Sequence, residues 1–88
     1  MKINSHFVLR QAIHTWIVVP IGVNNPVRNQ LMTLNDSGAE LWKLLEKGCE
    51  KQALVQALIE QYAVSEEQAQ QDVDEFIDKL KQIGCLDE

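Results

Sequence analysis

The side chains that could act as metal ligands in this sequence are two histidines and two cysteines. A metal site needs several convergent ligands at characteristic spacings. His6, His14, Cys49 and Cys85 show neither a C-x-x-C nor an H-x-x-x-H spacing. We therefore predict no metal site, and we expect solvated histidines on strands or loops and free thiols.

Ser37 has the best position for covalent chemistry, because it follows Asp36 at the predicted start of a helix in a small acidic chain. Acyl carrier proteins attach their prosthetic group to a serine in such a position. Those carriers are all-helical and have Leu or a similar residue after the serine, whereas Gly38 follows here and the preceding residues favour strands. We therefore interpret the Ser37 hydroxyl as part of a helix cap.

Other patterns that support catalysis are missing from the sequence. No serine lies in a glycine-rich elbow beside a base, and the four glycines are isolated at positions 22, 38, 48 and 84, which excludes a phosphate-binding loop. The acids of the last predicted helix lie mostly opposite its apolar stripe, as on a solvated face. We predict a binding protein with no catalytic residue and no cofactor.

Composition and charge restrict the class of partner. Of the 88 residues, 45% are hydrophobic and 24% are charged, as expected for one globular domain over residues 1–88. Residues 1–35 contain three bases and no acid, and residues 36–88 contain 5 bases and 13 acids, which gives charges of +3 and −8. Nucleic-acid binding usually requires clustered Lys and Arg, and no such cluster exists. The sequence also lacks a secretory leader and a membrane-length apolar stretch, so we expect a soluble cytoplasmic protein.

The N-terminal part of the chain favours β-strands. Aromatic and β-branched residues are concentrated at 7–9, 15–19 and 31–34, which predicts three short strands. Proline, glycine and asparagine separate the second strand from the third and predict a loop that begins at Pro20. The role of the polar segment from Ile21 to Arg28 stays open.

At Asn35 the period of the apolar pattern changes from two to 3.6, which predicts a first helix. Asn35 or Asp36 can cap this helix, Ser37 and Glu40 have the spacing of a capping box, and Gly48 suits its C-terminal end. Apolar residues at helical spacing also identify its buried stripe. These residues are Ala39, Leu41, Trp42, Leu44 and Leu45.

Two more helices follow. A short and mostly buried helix is predicted over about residues 50–62, with Leu54, Leu58 and Tyr62 on one face. The last helix begins after the cap residue Ser65, ends at Gly84 and has the strongest amphipathic pattern of the chain. The order of three N-terminal β-strands followed by three α-helices predicts an α+β, winged-helix-turn-helix-like fold with helices on one face of the sheet.

A small sheet of this kind has edges with unpaired N–H and C=O groups, which can accept a strand from another chain. Alternation places Leu31 and Thr33 on one face of the third strand and Met32 and Leu34 on the other, so that one pair enters the core. The sequence from Leu31 to Leu45 also resembles the strand-to-helix signature of the PqqD family. Weaker similarities to that family occur at residues 7–10, 69–80 and 83–86.

This resemblance implies a function as well as a fold. PqqD-type proteins are non-catalytic peptide chaperones, or recognition elements for ribosomally made and modified peptides. They bind the leader of a precursor peptide by strand addition and present the peptide to a modifying enzyme, often a radical S-adenosylmethionine protein. Synthesis of pyrroloquinoline quinone is one of several pathways that use such domains, and the resemblance identifies neither the precursor nor the enzyme.

In this family the leader docks against the third strand and beside the third helix. Carried to this sequence, the resemblance implies a binding site along the strand and along one flank of the helix, where Asp72 and Glu75 would favour a basic leader residue. The implied peptide-binding residues are Gln30, Leu31, Met32, Thr33, Leu34, Gln68, Asp72, Glu75, Phe76 and Lys79. The alternative is a winged-helix adaptor or regulator that binds another folded protein or DNA, because this topology serves many functions.

Overall fold

The computed structural model of the protein describes residues 1–4, 6–21 and 32–87. Its helices and strands follow the order β, β, β, β, α, α, α, β. The elements are β1 (Lys2–Ile3), β2 (Phe7–Ala12), β3 (Thr15–Pro20), β4 (Met32–Leu34), α1 (Asp36–Lys47), α2 (Lys51–Tyr62), α3 (Glu66–Ile83) and β5 (Leu86–Asp87). The three predicted strands correspond to β2, β3 and β4, so the predicted α+β order of three antiparallel strands and three helices is confirmed.

The principal sheet has the strand order β2-β3-β4, and both pairings are antiparallel. β2 and β3 form a hairpin in which Ala12 pairs with Thr15, so only Ile13 and His14 make the turn. The prediction that the loop begins at Pro20 was wrong, because Pro20 is the last residue of β3 and pairs with Phe7. A proline can occupy the end of a strand, where the loss of its N–H donor interrupts little of the ladder.

Two strands were not predicted. β1 and β5 contain two residues each and pair with one another, so that Lys2 lies opposite Asp87 and Ile3 opposite Leu86. The neighbouring Asn4 strengthens this connection, because its backbone N–H donates to the carbonyl oxygen of Cys85 at 2.9 Å and its Nδ2 donates to that of Gly84 at 2.8 Å. Residues 2–4 and 84–87 are therefore held together by strand pairing and hydrogen bonds.

The core lies between the sheet and the helices. α1 contacts β3 and β4 of the sheet and also β1, while α2 and α3 pack mainly against each other. Trp42 and Leu45 of α1 are fully buried, as predicted, together with Leu54 of α2 and Leu80 of α3. The prediction that α2 is mostly buried was wrong, because only Leu54, Val55 and Leu58 are buried and Tyr62 is 41% exposed.

The ends of α1 and α3 follow from their capping residues. Asn35 is the N-cap of α1, and its Oδ1 accepts hydrogen bonds from the Gly38 backbone N–H and from Ser37 Oγ, both at 2.9 Å. The predicted capping box of Ser37 with Glu40 was therefore wrong, because Ser37 lies inside the first turn and not at the cap. Ser65 caps α3 as predicted, and Gly84 ends that helix with φ 77°, a backbone angle that favours glycine.

Candidate functional site

A groove of about 280 Å³ lies between the end of β4, the first turns of α1 and one flank of α3. Its apolar walls and floor come from these three elements and from one side chain of α2. They are formed by Leu34, Leu41, Leu58 and Phe76, each less than a tenth exposed. The groove is therefore an opening onto the hydrophobic core.

The rim of the groove is polar. Thr33 is exposed on β4, and α3 contributes Asp72, which is half-buried, together with exposed Glu75 and Lys79. These three α3 residues share a flank because they lie three, four and seven positions apart. The remaining lining residues belong to the start of α1. They are Asn35, Ser37 and Gly38.

The closeness of β4 to α1 depends on Gly38. A Cβ atom at this position would lie 3.2 Å from Leu34 Cβ and 3.3 Å from Asn35 Oδ1, which is closer than side-chain atoms normally approach. Because Leu34 lines the groove and Asn35 caps α1, the absence of a side chain at Gly38 lets the strand turn directly into the helix. The strand-to-helix junction thus forms one end of the groove.

β4 is an edge strand within the part of the chain that the structure describes, since β3 is its only partner there. In an antiparallel pair, alternate residues direct their N–H and C=O groups away from the partner strand. Such groups on the outer side of β4 can pair with a further strand. Thr33 and Leu34 belong both to this strand and to the groove, so a peptide that paired with β4 would border the groove.

The side chains around the groove are suited to binding more than to covalent chemistry. Ser37 donates its hydroxyl hydrogen to Asn35, and no histidine or cysteine lines the groove within the described residues. Among those residues, no group of three or more His, Cys, Asp or Glu side chains could hold a metal ion. The serine therefore lacks a neighbouring base in this site.

The two cysteines lie elsewhere and are free thiols. Cys85 is fully buried, and its Sγ donates a hydrogen bond to the carbonyl oxygen of Leu80 at 3.4 Å. Burial raises the pKa of the Cys85 thiol to about 11. Burial also raises the pKa of Cys49, although the ammonium group of Met1 opposes this shift. Neither thiol is activated as a nucleophile, because only the thiolate is strongly reactive.

Comparison with known proteins connects this arrangement to a family. The sequence matches the family model of coenzyme PQQ synthesis protein D (PqqD) over residues 23–86, which is well over half of the chain. The chain belongs to the PqqD family. No curated protein matches the sequence significantly.

Two solved structures share the PqqD-like fold of this chain. TbiB1 in complex with the TbiA(beta) leader peptide has 23% identity and a TM-score of 0.73, and the match covers 99% of this chain and 100% of that chain. Lasso peptide synthetase B1 complexed with the leader peptide has 19% identity and a TM-score of 0.76, over 96% of this chain and 93% of that chain. Both similarities extend over nearly the whole molecule.

The structure brings six of the ten predicted peptide-binding residues together around the groove. These are Thr33, Leu34, Asp72, Glu75, Phe76 and Lys79. Met32 lies in β4 outside the groove lining. Gln68 lies one turn before Asp72 and donates a hydrogen bond from Nε2 to its Oδ1 at 2.8 Å. Gln30 and Leu31 lie outside the described residues, as does most of the segment from Ile21 to Arg28.

Leu41 and Leu58 line the groove but were not predicted as site residues. Both are apolar residues at helical spacing, and this pattern indicates burial without showing whether one side of the residue borders an opening. Gly38 lines the groove as well and was not predicted as a site residue. Its position between the strand and the first helical turn is a signal for close backbone approach that could have identified it.

Proposed function

We propose that this chain is a peptide-binding module that captures the leader segment of a ribosomally made precursor peptide and presents the precursor to a modifying enzyme. The observation that carries the proposal is the apolar groove beside the outer edge of β4, with charged residues of α3 along its rim. Membership in the PqqD family and the leader peptides bound to TbiB1 and to lasso peptide synthetase B1 support it.

The leader would bind as a fourth strand of the principal sheet. Main-chain hydrogen bonds to residues 30–34 would align the leader alongside β4, because backbone groups can pair with an extended strand of any sequence. Apolar leader side chains would cover Leu41, Leu58 and Phe76, and this burial would supply much of the affinity. Gln68, Asp72, Glu75 and Lys79 would select the polar positions of the leader.

In this function the chain has no catalytic role. Residues 1–88 would form one peptide-binding domain without a cofactor and would work in the cytoplasm beside a separate modifying enzyme. The PqqD resemblance makes a radical S-adenosylmethionine protein a suitable candidate for that enzyme. No helix among the described residues is long and apolar enough to cross a membrane.

The charge of α3 argues against the alternative of a DNA-binding winged helix. In helix-turn-helix proteins a recognition helix enters the major groove and lies close to phosphates. α3 carries six acids, at positions 66, 67, 72, 74, 75 and 78, but only two bases, Lys79 and Lys81. Repulsion between this helix and the phosphate backbone would oppose binding.

The test begins with selection of peptides from a randomised 12-residue display library against the purified protein. Selected peptides are then synthesised and titrated into ¹⁵N-labelled protein. We expect amide shifts at Met32, Thr33 and Leu34 and along residues 68–79, because these residues border the proposed binding site.

Two variants of α3 form a matched pair for the same titration. Glu75→Ala should weaken peptide binding, and Asp78→Ala should not, because Asp78 is an exposed α3 residue outside the groove lining. Failure to enrich any peptide, or shifts confined to β2 and the adjoining part of β3, would contradict the proposal.

A further inference from the structure

Two opposite charges lie side by side on the groove rim. Glu75 and Lys79 both line the groove and are both exposed, and they lie four positions apart on α3. Neither side chain forms an ion pair or hydrogen bond with another residue that the structure describes. Two other acids of α3 do have partners, since Asp74 pairs with Lys51 of α2 and Asp72 accepts a hydrogen bond from Gln68.

The spacing of this pair matches the repeat of a β-strand. Four residues of an α-helix rise about 6 Å along its axis. In an extended strand, two side chains on the same face are separated by one residue and lie about 6.6 Å apart. A strand that ran along the α3 flank could therefore place one side chain opposite Glu75 and the next side chain on the same face opposite Lys79.

We propose that the peptide bound in this groove carries a basic and an acidic side chain separated by one residue, with the base facing Glu75 and the acid facing Lys79. This inference rests on the proposed function, and it specifies the chemistry of the peptide. Asp72 lies one turn before Glu75 and strengthens the negative potential at the basic position. Because the two charges differ in sign, the order of base and acid in the peptide also reports the direction in which its strand runs.

Charge selection of this kind sets specificity more than total affinity. An exposed ion pair changes an equilibrium constant by up to about fivefold, since solvent screens the two charges. A peptide with the wrong order of charges would place like charges opposite each other at both positions, which adds repulsion to the loss of attraction. The correct and reversed orders should therefore differ by roughly tenfold or more in affinity.

The test compares peptide selections on two proteins of equal net charge. One is the unaltered chain, and the other carries Glu75→Lys together with Lys79→Glu. The unaltered chain should enrich peptides with one order of a base and an acid around a single residue, and the swapped protein should enrich the reversed order. A control with Lys47→Glu and Asp78→Lys changes two exposed positions outside the groove lining and should enrich the same order as the unaltered chain.

Each result of these selections has a definite meaning. Enriched peptides without the charge pattern, or the same order on both proteins, would overturn this inference and leave the proposed function standing. Failure of every selection on folded protein would overturn both. Circular dichroism checks that the swapped protein is folded. Glu75→Gln and Lys79→Gln provide a second route, because each should weaken the charge preference at its own position and leave the preference at the other position unchanged.

Discussion

The indole Nε1 of Trp16 donates a hydrogen bond to Oδ1 of Asp36 over 3.1 Å. This bond joins β3 to the first turn of α1, and Trp16 also pairs with Leu34 across the sheet. Lys43, further along α1, places its Nζ 4.6 Å from the centroid of the Trp16 ring. One residue of the central strand is therefore connected to both parts of that end of the groove, to the edge strand through backbone pairing and to the helix through its side chain.

Replacing Trp16 with Phe should keep an aromatic ring below Lys43 but remove the bond to Asp36. We expect a loss of about 0.5–1.5 kcal/mol in the free energy of unfolding, the usual net contribution of one such hydrogen bond. Urea denaturation measures this loss. In a double-mutant cycle with Asp36→Ala, the two losses should be less than additive. Fully additive losses would show that the bond contributes nothing.

The cap of α1 predicts different results at two neighbouring polar residues. Asn35→Ala removes the acceptor of the Gly38 N–H and should cost about 1 kcal/mol. Ser37→Ala removes only a hydroxyl that donates to Asn35, so its cost should be less than half as large. Asn35→Asp should retain most of the stability, because its carboxylate can accept the same bond near the positive end of the helix. Equal losses from the two alanine substitutions would favour a capping role for Ser37.

Two helix ends have the same backbone conformation but different residues. Ala63 ends α2 with φ 51°, and Gly84 ends α3 with φ 77°. L-residues with a side chain are strained in this left-handed region. Ala63→Gly should therefore raise stability by about 0.5–1 kcal/mol, whereas Gly84→Ala should lower it by about 1 kcal/mol. Thermal denaturation of both variants measures these changes.

Nothing lies within 4 Å of a Cβ atom built at Gly84, so the cost of Gly84→Ala comes from backbone conformation and not from a clash. Gly48→Ala tests the same backbone effect at a second position. Gly48 has φ 89°, and a Cβ atom there would meet Lys2 atoms only at ordinary contact distances. A gain in stability from Gly84→Ala would contradict the assigned conformation.

Burial of Cys85 predicts a dependence of stability on alkaline pH. Its pKa is raised from 9.0 to about 11 in the folded protein, so the folded state holds the proton more tightly than the unfolded chain. The contribution of this group is complete below pH 9 and is lost as the pH rises through about 11. The stability advantage of the unaltered protein over Cys85→Ala should therefore narrow between pH 9 and pH 11.

Urea midpoints of the two proteins at several pH values measure this narrowing, and titration of other groups affects both proteins alike. Alkylation at pH 8 provides an independent check. Partly exposed Cys49 should react first, and Cys85 should react only when the protein unfolds. A constant difference between the urea midpoints would show that the thiol titrates alike in both states.

Much of the fold was predictable because its main elements carry strong local patterns. The change of period at Asn35, the Ser65 cap and the Gly84 end identify α1 and α3 to within a residue. β1 and β5 were missed because two residues cannot show a period and because they pair across almost the whole chain. Asn35 was one of the predicted caps of α1, but its choice over Asp36 and Ser37 was not predictable, since all three residue types can fill that role.

Part of the candidate site was predictable, because spacing decides which side chains of a helix share a face. The flank of Asp72, Glu75 and Lys79 follows from the helical repeat, and the structure places these residues beside Thr33 and Leu34. The apolar floor could not be distinguished from ordinary core. Leu58 is contributed by a different helix, and no local pattern shows that packing of α2 on α3 brings it to the groove.

The pairing of β1 with β5 gives the backbone the topology of a nearly closed ring. Lys2 lies opposite Asp87 in this pairing. The preceding residue, Met1, lies at the C-terminal end of α1, where its carbonyl oxygen accepts a hydrogen bond from the Cys49 N–H at 3.0 Å. The groove lies at the opposite end of that helix. A circular permutant that joins residues 2 and 87 through a short linker and opens at the Ile13–His14 turn would keep every strand pairing intact. The residues that line the groove would thus stay adjacent in space although the permuted chain begins at a different residue.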